Sequence, residues 1–163
     1  MARAWHPPWP GFTSRGSLLL PLPDARFLQM PEALSLEGIE FQRKREFHVT
    51  LLDRETGTRI RAEELAGGVR PSVRELFEGE DWQCRRSDAR WLLREQLPEG
   101  TVHSIIELLD MPALVRFRHN VGWAHGQPLP PTPAHVTLYV AGNDSGIGLA
   151  SKEEFQRLRL RRL

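Results

Sequence analysis

The sequence is poor in the residues that redox and metal-thiolate chemistry require. A single cysteine, Cys84, stands among 163 residues. An intrachain disulfide and a cysteine-rich zinc site are both excluded. Nothing around Cys84 marks it as an activated thiol, so it reads as a small apolar filler. Charge of one sign is missing as well: 22 Lys and Arg against 21 Asp and Glu leave a formal net charge of +1. Long tracts of nucleic-acid backbone need many cations, so overall charge does not point to a duplex binder. The apolar run near the start, Leu18 to Leu20, is broken by Pro21 and Pro23. It is too short for a signal-peptide core or a membrane span. The expectation is a soluble, cytoplasmic monomer with no membrane association and no stable protein partner.

What is present is ordinary for one compact domain: 40% hydrophobic and 26% charged residues, enough to bury a core. Trp5 and Trp9 lie among prolines and suggest an extended arm, residues 1–33, packed on a domain spanning 34–163. Phe47 to Leu52 reads as a buried strand. "DRETGT" reads as a turn, and "RIRAEELAGG" as a short helix stopped by Gly67 and Gly68. "RPSVRELFEGE" predicts a second helix with Pro71 in its first turn. "DWQCRRSDARWLLREQL" suggests a hairpin turning at Ser87 and Asp88, and "TVHSIIELLD" another strand. "MPALVRFRHNVGWA" places Leu114, Phe117 and Val121 at helical spacing. "GQPLPPTP" is an extended lead-in to the strand "HVTLYVA". "GNDSGIG" is followed by no lysine and reads as a turn rather than a phosphate loop. Ser151 and Glu154 form a capping-box pattern ahead of a closing helix, and the basic tail reads as a solvated face. Strands and helices mix without regular βαβ units, which predicts an α+β fold of mainly antiparallel sheet.

One feature breaks this ordinariness. The tetrapeptide His-Val-Thr-Leu occurs twice, at His48–Leu51 and His135–Leu138. Chance supplies only about a quarter of one His-x-Thr in a chain with this many histidines and threonines. Side chains alternate along a strand. His48 and Thr50 therefore share one face, and Val49 and Leu51 the other. By the same alternation His135, Thr137 and Tyr139 share a face opposite Val136 and Leu138. Each strand buries an apolar face and presents an imidazole beside a hydroxyl. With an ordinary pKa of about 6.5, one imidazole can accept a proton while another donates one near neutral pH. Threonine hydroxyls can hold non-bridging phosphate oxygens. Two such halves across a cleft suit phosphodiester chemistry without a metal. Tyr139 on the cleft face would stack a base or cap the cleft, with plain packing as the alternative.

At these residues the sequence resembles the 2H phosphoesterase superfamily, whose members carry two His-x-Thr/Ser motifs, each followed by a hydrophobic residue. They include RNA 2',3'-cyclic phosphodiesterases and proteins once called 2'-5' RNA ligases. The resemblance spans roughly residues 34–158, and "PPTPAHVTLYVAGNDSGIGLASKEEF" is similar to a bacterial branch of the superfamily. It implies a bilobal, pseudo-twofold α+β fold, with two mainly antiparallel sheets lining a central cleft and helices outside. It implies hydrolysis of a cyclic phosphate or a 2'-5' or 3'-5' linkage in RNA or a nucleotide. His48, His135, Thr50 and Thr137 would be the catalytic residues, with no metal and no cofactor. The partner would be an RNA end or a nucleotide. The alternative on the same fold is a nucleotide or RNA-end binding module without turnover. His6, His103, His119 and His125 are expected to be structural or solvated.

Overall fold

The structure is a computed structural model, and residues 3–23, 25 and 27–163 are described. The chain folds as α+β with two antiparallel sheets. In chain order the elements are β1 (Leu18–Pro21), β2 (Ala33–Leu36), β3 (Ile39–Arg43), β4 (His48–Leu52), α1 (Arg54–Ala66), α2 (Val73–Glu78), β5 (Arg85–Leu97), β6 (Gly100–Asp110), α3 (Pro112–Ala124), β7 (His135–Ala141), α4 (Lys152–Leu158) and β8 (Arg159–Arg162). One sheet is the ribbon β1-β4. The other has six strands in the order β2-β3-β7-β6-β5-β8 and curls into a half-barrel. The lobes are thus unequal, two strands against six.

Alternation along β6 explains the layering. Ile105 faces a large core with Phe41, Trp82, Phe117 and Tyr139, to which α1, α2 and α3 contribute Ile60, Phe77 and Val121. Its neighbour Ile106 faces a smaller core with Leu93, Val102, Ile147, Leu149 and Leu158. The second core is closed by α4 and by the loop after β7. Among the described residues no helix is long and apolar enough to cross a membrane.

Three local expectations change. No boundary falls at residue 33: β1 pairs with β4, and Leu18, Leu20, Leu22 and Phe27 are buried in the main core. Further upstream, the Trp5 N–H donates to Asp81, and the Trp5 carbonyl accepts from the Trp82 N–H. The supposed arm is therefore part of the domain, because its apolar residues sit at strand spacing and close the ribbon. "DRETGT" is the start of α1 rather than a turn. Asp53 is its N-cap, extended in backbone, and its carboxylate accepts from the Thr56 N–H, so the acid ends the strand by starting a helix. The hairpin expected around Ser87 and Asp88 is one long strand, β5, with an irregularity between Arg86 and Arg90. Asp88 adopts a positive φ of 60° there, and the Ser87 hydroxyl donates to the Leu108 carbonyl across the ladder. The turn-forming pair makes a bulge instead.

One close approach fixes the turn before β1 against α1. A Cβ added at Gly57, inside the helix, would overlap the carbonyl oxygen of Gly16. Helix propensity alone favours alanine at such a position by up to about 1 kcal/mol. Here the overlap with backbone reverses the sign. Gly57→Ala is expected to destabilise the protein by about 1–3 kcal/mol, read as a lower urea midpoint at unchanged slope.

Candidate active site

Both His-x-Thr pairs line one cavity of about 260 Å³. β4 brings His48 and Thr50, while Val49 and Leu51 anchor the strand in the main core. β7 brings His135 and Thr137 from the centre of the six-stranded sheet. Each strand places them as alternation requires. The two imidazoles are near enough that the charge of His135 acts on His48. Among the described residues, the His48 ring and the Thr50 and Thr137 hydroxyls have no hydrogen-bond partner within the protein. Polar groups in a cleft that the fold leaves unpaired are available to a ligand.

The two histidines differ in their surroundings. His135 is only 9% exposed, and its Nδ1 lies 2.9 Å from the Pro133 carbonyl. A carbonyl accepts only, so Nδ1 carries the proton and the neutral ring presents the Nε2 lone pair. Burial pushes the His135 pKa below its ordinary 6.5, opposed by that hydrogen bond. His48 is half-buried and also lowered, first by burial, then by the charges of Lys44 and His135, with Glu46 working the other way.

Tyr139 is not part of this cavity. It lies in the main core, 2% exposed, and its hydroxyl donates to the Pro31 carbonyl at 2.7 Å. The cause is a bulge in β7. Against β6, Thr137 pairs with Ile106 and Tyr139 with Ile105, leaving Leu138 as the extra residue. Leu138 and Tyr139 both enter the main core, and the alternation resumes with Val140, which approaches Gly146 on the same side as Thr137. Simple alternation through Leu138 therefore assigns Tyr139 to the wrong face.

The cavity also takes residues that the motifs do not announce. Asp53 lines it from the end of β4, and Glu154 from the first turn of α4. The stretch "GNDSGIG" is a wall rather than a simple turn: Ser145 and Gly148 face the cavity. Ile147 and Leu149 pin this loop into the second core, the Ile147 N–H donates to the buried Ser104 hydroxyl at 3.0 Å, and Lys44 Nζ holds the Asp144 carbonyl at 2.8 Å. Two apolar residues spaced like strand anchors inside a glycine-rich loop were the available signal. The Glu154 carboxylate accepts from the Ala150 N–H at 2.6 Å, which fixes the loop's end.

The remaining histidines lie outside the cavity. His6 meets the Glu80 carbonyl, and His125 pairs with Glu63. His103 stands edge-on to Phe41, and His119 lines a separate groove. No group of three or more His, Cys, Asp and Glu able to hold a metal occurs among the described residues. No protein-family profile, no curated protein and no solved structure matches this chain.

Proposed function

We propose that the cavity is the active site of a metal-independent phosphodiesterase, acting on a cyclic phosphate or a 2'-5' or 3'-5' linkage in RNA or a nucleotide. The observation that carries this reading is the convergence of two His-x-Thr pairs from different sheets on one cavity. Their hydroxyls and one imidazole have no other hydrogen-bond partner among the described residues. The reading agrees with the motif resemblance to the 2H phosphoesterases.

In this scheme His135 Nε2 takes a proton from the attacking water as its oxygen bonds to phosphorus. The phosphorus–ribose oxygen bond breaks, and His48 gives its proton to the departing oxygen. The products are a phosphomonoester and a free sugar hydroxyl. Thr50 and Thr137 donate to the non-bridging oxygens, where negative charge builds in the transition state. An anionic phosphate between the imidazoles favours the protonated form of His48, against the burial and the cations that lower it in the free protein. The volume, about 260 Å³, is below that of sites for drug-sized ligands, about 300–1,000 Å³. It suits a phosphate with its ribose and leaves the base at the mouth.

The test is a panel of nucleoside 2',3'-cyclic phosphates and 2'-5' linked dinucleotides, assayed with and without chelator. The expected result is chelator-resistant turnover of at least one class, lost in His48→Ala. Binding without any product would replace this reading with that of a nucleotide-binding module.

A further inference from the structure

A second cavity, of about 470 Å³, lies between α3 and the proline-rich segment that precedes β7. Its character differs from that of the histidine cavity. Val115, His119 and Trp123 follow one another at helical spacing along α3 and line one wall. Trp123 is 76% exposed, so its indole is a bare flat platform. Pro128, Leu129 and Pro131 form the opposite wall. The two walls meet at Gly122, where an added Cβ would come within 3.0 Å of the Gln127 carbonyl oxygen. That glycine allows the loop to close the end of the groove.

Arg118 gives this apolar groove a chemical preference. It lines the cavity and is only 4% exposed. It donates to the Leu51 carbonyl from one terminal nitrogen, and to the Pro130 carbonyl from Nε and the other terminal nitrogen. No carboxylate lies within ion-pair distance of it among the described residues; Asp53 is the acid whose field reaches it. A guanidinium carries five N–H donors, so two are left over by those three bonds. A buried cation whose direct hydrogen-bond partners are carbonyl oxygens is costly, and an anion entering the groove would lower that cost.

We propose that this groove is a nucleotide-binding site, separate from the histidine cavity, in which a base stacks on Trp123 and a phosphate meets Arg118. The volume falls within the usual range for small-molecule sites. Indole stacking accepts any base, so selectivity for nucleotide over nucleoside comes from the cation. The inference does not depend on phosphodiester turnover.

The experiment uses the full chain carrying His48→Ala and His135→Ala, which removes both imidazoles from the first cavity. Adenosine 5'-monophosphate, adenosine and inorganic phosphate are titrated separately, with the Trp123 indole N–H resonance as reporter, assigned by its loss in Trp123→Ala. The expected result is a saturable shift with the nucleotide and affinity about tenfold lower for adenosine. Calorimetry should show about tenfold weaker nucleotide binding after Trp123→Ala; this exposed substitution should leave the thermal transition intact. An unmoved Trp123 resonance, equal affinity in Trp123→Ala, or adenosine binding as well as its monophosphate would overturn the proposal.

Discussion

Replacing His135 by alanine is expected to lower phosphodiester turnover by about 10²- to 10⁴-fold, the usual worth of a positioned proton acceptor. The side chain sits at the centre of the six-stranded sheet, on a strand hydrogen-bonded on both sides, so far-ultraviolet circular dichroism should be unchanged. The pH dependence separates a catalytic role from a structural one. Both histidines titrate below the ordinary 6.5 in the free protein, His135 because it is buried and His48 because burial adds to nearby positive charge. Activity rises with pH as the base loses its proton and falls as the acid does. With both values displaced downward, the bell in kcat/KM should have its maximum on the acid side of 6.5, with apparent pKa values that belong to the coupled pair. A maximum well above pH 7 would rule out this pair as acid and base. His135→Ala should leave only residual activity without the acid-side limb.

The same two residues show how far the sequence carried. His48, Thr50, His135 and Thr137 lie where the repeat and strand alternation put them, because period-two patterning survives wherever a strand buries one face. Alternation misplaces Tyr139 for a reason it cannot contain. The bulge at Leu138 depends on how β6 pairs with β7, which is a property of two strands. Asp53, Ser145 and Glu154 escaped for a related reason: a capping acid, a loop serine and a helix-start glutamate carry ordinary local meanings, and only the tertiary fold turns them toward one cavity. β1, β2 and β8 carry no strand signal because each is four residues long, shorter than a pattern needs to declare itself.

A large effect on stability is expected at Glu107. Its carboxylate is fully buried in the six-stranded sheet and accepts from Arg86 at 2.7 Å through both terminal oxygens, and from Arg90 at 3.2 Å. Arg86 also lies over the Phe27 ring at 5.0 Å. Glu107→Ala leaves these cations facing an empty position. Breaking a buried pair costs about 3–5 kcal/mol, and the lower end applies because both arginines reach solvent. About 3 kcal/mol corresponds to a melting point lower by about 6–12 °C in a chain of this size. Burial pushes the Glu107 carboxyl up, but the hydrogen bonds and charges of Arg86 and Arg90 outweigh it and hold the pKa below the ordinary 4.5. The folded state therefore binds this proton more weakly than the unfolded one. The contribution is complete above pH 4.5 and is lost as pH falls through the lower folded value. Denaturation curves should thus converge for wild type and Glu107→Ala as the pH is lowered below 4.5. A constant gap down to pH 2 would mean that the carboxylate's charge is not what stabilises this position.

The position of β7 between β3 and β6 has a consequence for how the molecule comes into being. β3 finds its partner nearly a hundred residues downstream, in the pairing of Gln42 with Val140. During synthesis the ribbon bearing His48 is complete long before that partner leaves the ribosome. Until it arrives, β3 and β6 each present an unpaired edge, the surface on which unfinished chains stick to one another. Insertion of one strand covers both edges, docks the second histidine beside the first and lets the Ile147–Leu149 segment close the cavity. Protection against self-association and the histidine cavity arrive together, late, and by the same event.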